Sequence, residues 1–168
     1  DIAFFAIDPL RAADPEFTAA YVMIEGTYVV PQNSPIQRNE EVDRSGIRIA
    51  VAAKSAYDLF LTRSIRNATL VRTVTSGGVT DMFLEQKLEV SAGVKQQLEL
   101  DMQRLPGLRM LPGRFMEINQ AMGMTKGKPA AIAYLRSFLE EMKASGFVAE
   151  ALKRHGVEGV SVAPPAVR

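Results

Sequence analysis

Between residues 47 and 111 the chain alternates short apolar, β-prone runs with segments whose apolar residues recur at helical spacing. Residues 47–53 (IRIAVAA) read as a buried strand. Ser55 then opens a helix in which Ala56, Leu59, Phe60 and Arg63 share a stripe. Residues 70–74 form a second strand, and Thr75 or Ser76 caps a helix carrying Val79, Met82 and Phe83 at i, i+3, i+4. A third strand follows at 88–92, then a helix marked by Leu98, Met102 and Leu105. Residues 108–111 are a candidate fourth strand, closed by Pro112-Gly113. Strand and helix alternating through short loops imply right-handed βαβ units on a parallel sheet.

Two longer extended segments, 21–30 and 115–124, bracket this unit. Gly26 in the first signals a bend or crossover. Residues 2–7 form a strand stopped by Asp8-Pro9, with a short helical turn at 9–13. Pro129 opens a strong helix with the stripe Ala131, Leu135, Phe138, Leu139 and Met142, stopped by Gly146. A shorter helix runs to Gly156, and Pro164-Pro165 lies in a loose tail. The expected organisation is an α/β chain with one lobe at 27–118 and part of a second at 1–26 and 119–168. The two extended segments serve as hinge strands. A strand at the first residue, with no initiator Met or signal segment, predicts that the chain starts inside a domain.

Charge narrows the partners. Lys plus Arg number 20 against 19 Asp plus Glu in 168 residues, so no basic excess points to nucleic acid. There is no cysteine, which excludes disulfides, thiol catalysis and Cys-ligated zinc. The single histidine, His155, stands in a helix-ending Lys-Arg-His-Gly pattern, where a cation suits the C-terminal dipole better than catalysis or metal binding. No metal or cofactor is expected. No apolar run approaches the roughly 18 residues that span a membrane.

Several stretches are familiar as an ordered set. Asp1 with Arg11 and Phe17-Thr18-Ala19-Ala20-Tyr21 resembles a stretch of the family 3 solute-binding proteins. Gly46-Ile47-Arg48-Ile49-Ala50-Val51 with Lys54-Ser55-Ala56 is similar to that family's strand and loop. Lys87-Leu88-Glu89-Val90 resembles its next strand, and Phe138 with Lys143-Ala144-Ser145-Gly146 its closing helix. The resemblance covers essentially the whole chain. It implies a type II periplasmic binding protein-like fold, with most of the first lobe lacking. It also implies an extracytoplasmic receptor that closes two lobes over a small polar or acidic solute and hands it to an ABC permease.

In that family an arginine of the first lobe takes the ligand carboxylate, and Arg11 occupies its place, six residues before Phe17. A guanidinium suits the role because its planar fork binds a carboxylate bidentately and stays charged. The other half of an anion site is readable from the residues alone. Ser55 follows a buried strand and opens a helix, so the amides of Ser55, Ala56 and Tyr57 are expected to face a crevice at the sheet's carboxyl edge, in addition to any capping by the Ser55 side chain. Thr75-Ser76-Gly77-Gly78 is a similar, weaker turn. Lys54 replaces a small residue and either adds charge or faces solvent.

The amine-binding half differs. Where the family has an acid after the third strand, this chain has Val94 with Lys95 beside it, so an ammonium there would be repelled. The expected solute is therefore a carboxylate other than a standard α-amino acid. Glu25, Glu117, Asn119 and Gln120 lie on the hinge strands with orientation open. A ligand-sensing domain is the alternative. A dehydratase-type enzyme is disfavoured, with Glu89 and Glu117 its only candidate acids. Unpaired strands could also associate with a second copy, by swapping or edge pairing.

Overall fold

The computed structural model describes residues 1–11, 13, 15–157 and 159–166. The chain divides into two compact units, Asp1–Ile24 with Ile118–Arg168, and Glu25–Glu117. Two strands, β2 (Pro15–Pro31) and β7 (Met116–Thr125), contribute to both.

In the Glu25–Glu117 unit, β3 (Arg48–Ala52) lies parallel to both β4 (Thr69–Thr73) and β5 (Val90–Val94). β5 pairs antiparallel with β2, Gly26 opposite Val94 and Val29 opposite Ser91. The short β6 (Leu108–Met110) also runs antiparallel to β2, so the expected fourth strand does not extend the parallel set. β3 is buried along four of its five residues, as a central strand covered on both faces must be. Helices α1 (Ala56–Ser64), α2 (Val79–Glu85) and α3 (Lys95–Arg104) pack around a core holding Ile49, Val51, Leu61, Phe83 and Val90.

The buried stripe of α1 differs in phase from the sequence reading. α1 buries Tyr57, Asp58 and Leu61, leaving Ala56, Leu59 and Phe60 half-buried and Arg63 exposed. α2 buries Val79, Thr80 and Phe83, with Met82 only half-buried. Val79 and Phe83 are thus buried as the spacing predicts, while in α1 Leu61, 1 % exposed, takes the core position expected of Leu59 and Phe60.

In the other unit, β1 (Ile2–Ala6) pairs antiparallel with β7, from Ile2 opposite Met124 to Ala6 opposite Gln120. Gly123 admits the Phe5 ring, since a Cβ there would lie 3.0 Å from Phe5 Cζ. β8 (Val160–Val162), which the sequence reading assigned to no element, adds to β2 with Val22 opposite Val162. Helix α4 (Pro129–Ala144) buries Ile132, Leu135 and Leu139, while Ala131 and Phe138 are exposed. Gly146, at φ 82°, ends it in the left-handed conformation that glycine adopts without strain, and α5 (Phe147–Arg154) follows. Lys143 anchors the C-terminal segment, its Nζ donating to the carbonyls of Ala20 and Pro164. Of the helical turn expected at 9–13, Arg11 donates its N–H to the Asp8 carbonyl, and Ala12 lies outside the described residues.

Candidate functional site

Because β3, β4 and β5 are parallel, the loops leaving their carboxyl ends lie along one edge of the sheet. That edge carries Lys54-Ser55, Thr75-Ser76 and Val94-Lys95. Lys54 sits at φ 63°, turning the chain so that its N–H reaches Asp58 Oδ2 at 2.8 Å. Ser55 is the N-cap of α1, its Oγ accepting the Asp58 N–H at 3.0 Å. Asp58 is itself buried, and its Oδ1 accepts from Arg72 Nε at 2.9 Å and the Thr62 hydroxyl at 3.3 Å.

This corrects the anion site in one respect. The Ser55 N–H donates to the Ala52 carbonyl at 3.2 Å and the Lys54 N–H to the Asp58 carboxylate, so neither amide is left for a ligand. Ala56 and Tyr57, the first two residues of α1, keep amides with no acceptor inside the helix. The Tyr57 side chain turns inward. Burial raises its phenol above the ordinary value, partly offset by hydrogen bonds to the side chains of Ser76 and Ser55.

The second turn is also corrected. Residues Ser76–Gly78 form a single 3-10 turn, and neither Thr75 nor Ser76 caps α2, whose N-cap is Gly78. Seven residues of helix give a weak dipole, so the turn contributes its Ser76 hydroxyl toward Tyr57 and no helix-terminus site.

Lys95 opens α3, where a cation opposes the helix dipole. It is paired, its Nζ lying 2.9 Å from Glu25 Oε2. Glu25 Oε1 is 3.4 Å from Arg114, which reaches Glu117 at 3.0 Å, so two cations and two anions form a chain. The Lys95 hydrogen bond lowers the Glu25 carboxyl below its usual range, and the same bond raises the Lys95 ammonium. The sequence reading had Lys95 as a repelling charge and left Glu25 unoriented. The signal for their meeting is the pairing of Gly26 with Val94, which puts residue 25 alongside residue 95.

Behind this edge lies a cavity of about 100 Å³, lined in part by Tyr57, Ser76, Thr80, Gly93, Gln97 and Asp101. The buried Asp101 accepts from the Thr80 hydroxyl at 2.6 Å and from Gln97 Nε2 at 3.0 Å. Glu89, one of the two candidate acids, is held by Arg48 through its N–H, Nε and Nη2 at 2.8–3.0 Å. Arg11 lies in the other unit, in the turn after β1, which Asp8 braces by accepting the Leu10 N–H at 2.9 Å. In that same unit Asn119 accepts the Ile7 N–H through its carbonyl, and Gln120 hydrogen-bonds the Tyr21 phenol. His155 is the C-cap of α5. Among the described residues no group of three or more His, Cys, Asp or Glu could hold a metal ion, and no helix is long and apolar enough to cross a membrane.

Neither family models nor curated protein sequences match this chain. Solved structures do. A substrate-binding protein of an amino acid ABC transporter superposes with a TM-score of 0.75 at 15 % identity, over 92 % of this chain and 70 % of its own. The solute receptor for L-cysteine of Neisseria gonorrhoeae gives 0.76 at 20 % identity, over 92 % and 63 %. A histidine kinase sensor domain with similarity to periplasmic binding proteins gives 0.78 at 16 % identity, over 97 % and 72 %. The fold is thus that of the type II periplasmic binding proteins, the class to which receptors of amino acid ABC transporters belong. The chain spans roughly two thirds of the length of such solved chains.

Proposed function

We propose that this protein is an extracytoplasmic receptor that captures a small carboxylate-bearing solute and delivers it to an ABC importer. The observation that carries the reading is the carboxyl edge of β3. There Ser55 caps α1 and leaves the Ala56 and Tyr57 amides at a positive helix terminus, in a fold shared with amino-acid receptors. Arg11, in the other unit, is the cation that the resemblance implies for a bidentate hold on the carboxylate. Lys54 adds positive charge beside Ser55, and Lys95 near the mouth is held by Glu25.

The acids Glu25, Glu89 and Glu117 are already paired with Lys95, Arg48 and Arg114, so none is dedicated to a ligand ammonium. A carboxylate without an α-amine is therefore the favoured solute. The same pairing ties up the candidate catalytic acids, and binding without turnover is the mechanism that fits. A second reading, a ligand-sensing domain, is favoured by the likeness to the kinase sensor domain.

Calorimetric titration with α-amino acids and their des-amino counterparts tests the reading. The des-amino acids should bind at least as tightly, be recovered unchanged, and lose tenfold or more on Arg11→Ala, which truncates a charged hydrogen bond. An α-amino acid binding tenfold tighter than its counterpart would overturn it. Stimulation of a permease's ATP hydrolysis by the loaded protein separates transport from sensing.

A further inference from the structure

We infer that the cavity behind the carboxyl edge of β4 and β5 is a subsite for a primary ammonium at the far end of the solute, with Asp101 as its counter-charge. The inference rests on the carboxylate-receptor reading above and adds the solute's second end.

The cavity lies wholly within the Glu25–Glu117 unit. Tyr57, Ser76 and Val94 bring it to the edge where the Ala56 and Tyr57 amides stand. Its inner walls come from α2, through Val79 and Thr80, and from α3, through Leu98 and Asp101. A solute held by its carboxylate at those amides therefore has this cavity beside it.

Charge calls for a cation there. Asp101 is 4 % exposed, and a carboxylate so buried needs a close counter-charge. Among the described residues the one cation it meets is Arg104, at 3.6 Å. That guanidinium is half-exposed and already holds Asp81 through two bonds, at 2.8 and 3.1 Å. Two carboxylates share one cation, which leaves one negative charge over. Asp101 also stands apart from Glu25, Glu89 and Glu117, each of which has a cation within 3.0 Å.

Hydrogen bonding and size narrow the cation. Thr80 and Gln97 both donate to Asp101, and the Tyr57 and Ser76 side chains bond one another. Each Asp101 oxygen accepts one of these bonds and keeps a further lone pair, so the lining is rich in acceptors. A primary ammonium, with three donors and no acceptor, matches it. The volume is about 100 Å³. A water takes ~30 Å³ and a benzene ring fills a cavity of ~150 Å³, so a short aminoalkyl end fits and a ring does not. Its methylenes would lie against Val79, Ala92 and Leu98. The solute class is thus a short carboxylate with its amine at the opposite end and none at the α-position.

Calorimetric titration with 3-aminopropanoate, 4-aminobutanoate and 5-aminopentanoate, each against the carboxylate in which a methyl replaces the ammonium, provides the test. At the length that reaches Asp101, the amino compound should bind about tenfold or more tighter, the worth of a charged hydrogen bond. Asp101→Asn should erase that difference and leave the methyl-ended carboxylate unchanged. No preference at any length, or a preference that survives Asp101→Asn, would overturn the inference while the receptor reading stands. Methylammonium, which carries no carboxylate, separates the two readings by amide chemical shifts. If no carboxylate binds and methylammonium still shifts the Thr80, Gln97 and Asp101 amides, the subsite stands and the receptor reading falls. If those amides stay unmoved as well, both fall. Should Asp101→Asn misfold, the same amides decide in the parent chain: they must shift with the preferred amino compound and not with its methyl-ended counterpart.

Discussion

Lys54 holds a left-handed backbone conformation that a side chain disfavours by about 1–2 kcal/mol, and it does so where the β3 loop turns into α1. Lys54→Gly removes that strain but adds freedom to the unfolded chain. The net gain should be about 0.5 kcal/mol, read as a higher urea midpoint with an unchanged slope. A lower midpoint would show that the Lys54 side chain contributes more than its conformation costs. At this scale the sequence was legible where chemistry is local. Ser55 reads as a cap because its partner amide is three residues away. It was not legible where partners are distant: Lys95 meets Glu25 across 70 positions, and Asp58 meets Arg72 across 14. Only the strand order brings them together.

At the scale of elements, helix existence and strand existence followed from periodicity, while helix phase and strand direction did not. α1 has nine residues, so stripes through Phe60 or through Tyr57 and Leu61 fit the same pattern, and packing under β3 decides for the second. The period of a strand carries no direction, so residues 108–110 could not be told from a fourth parallel strand; their pairing with β2 makes them antiparallel. β8, three residues long, is too short to show any period. Two of these elements also bury phenols. Tyr28 on β2 and Tyr57 on α1 are both pushed above the ordinary value of 10.0, chiefly by desolvation. A raised folded value leaves stability full below pH 10 and removes it as the pH climbs past that point. In alkaline titration their phenolate absorbance should therefore appear together with loss of secondary structure. Tyr28→Phe and Tyr57→Phe should each move that loss to higher pH, and an unmoved transition would mean the phenols are more hydrated than their burial implies.

At the scale of the molecule, the two units differ in how much core they hold. Among the described residues, sixteen buried residues form one cluster in Glu25–Glu117, against three in the cluster of Met124, Ile132 and Leu135 in the other unit. Native-state hydrogen exchange should therefore be slowest for β3 and β5 and faster for β8 and α5. Uniform protection across both units would show a single cooperative block instead. The general fold was legible here because the βαβ grammar and the ordered likeness to solute-binding proteins pointed the same way, and solved receptors superpose at 0.75 or better in TM-score for the two compared. The exposed aromatic face was not legible, since Phe138 reads as one more member of the α4 stripe and only the structure leaves it uncovered. That face has a thermal consequence. Any apolar contact it makes carries little enthalpy near room temperature and a negative heat capacity, so it weakens on cooling.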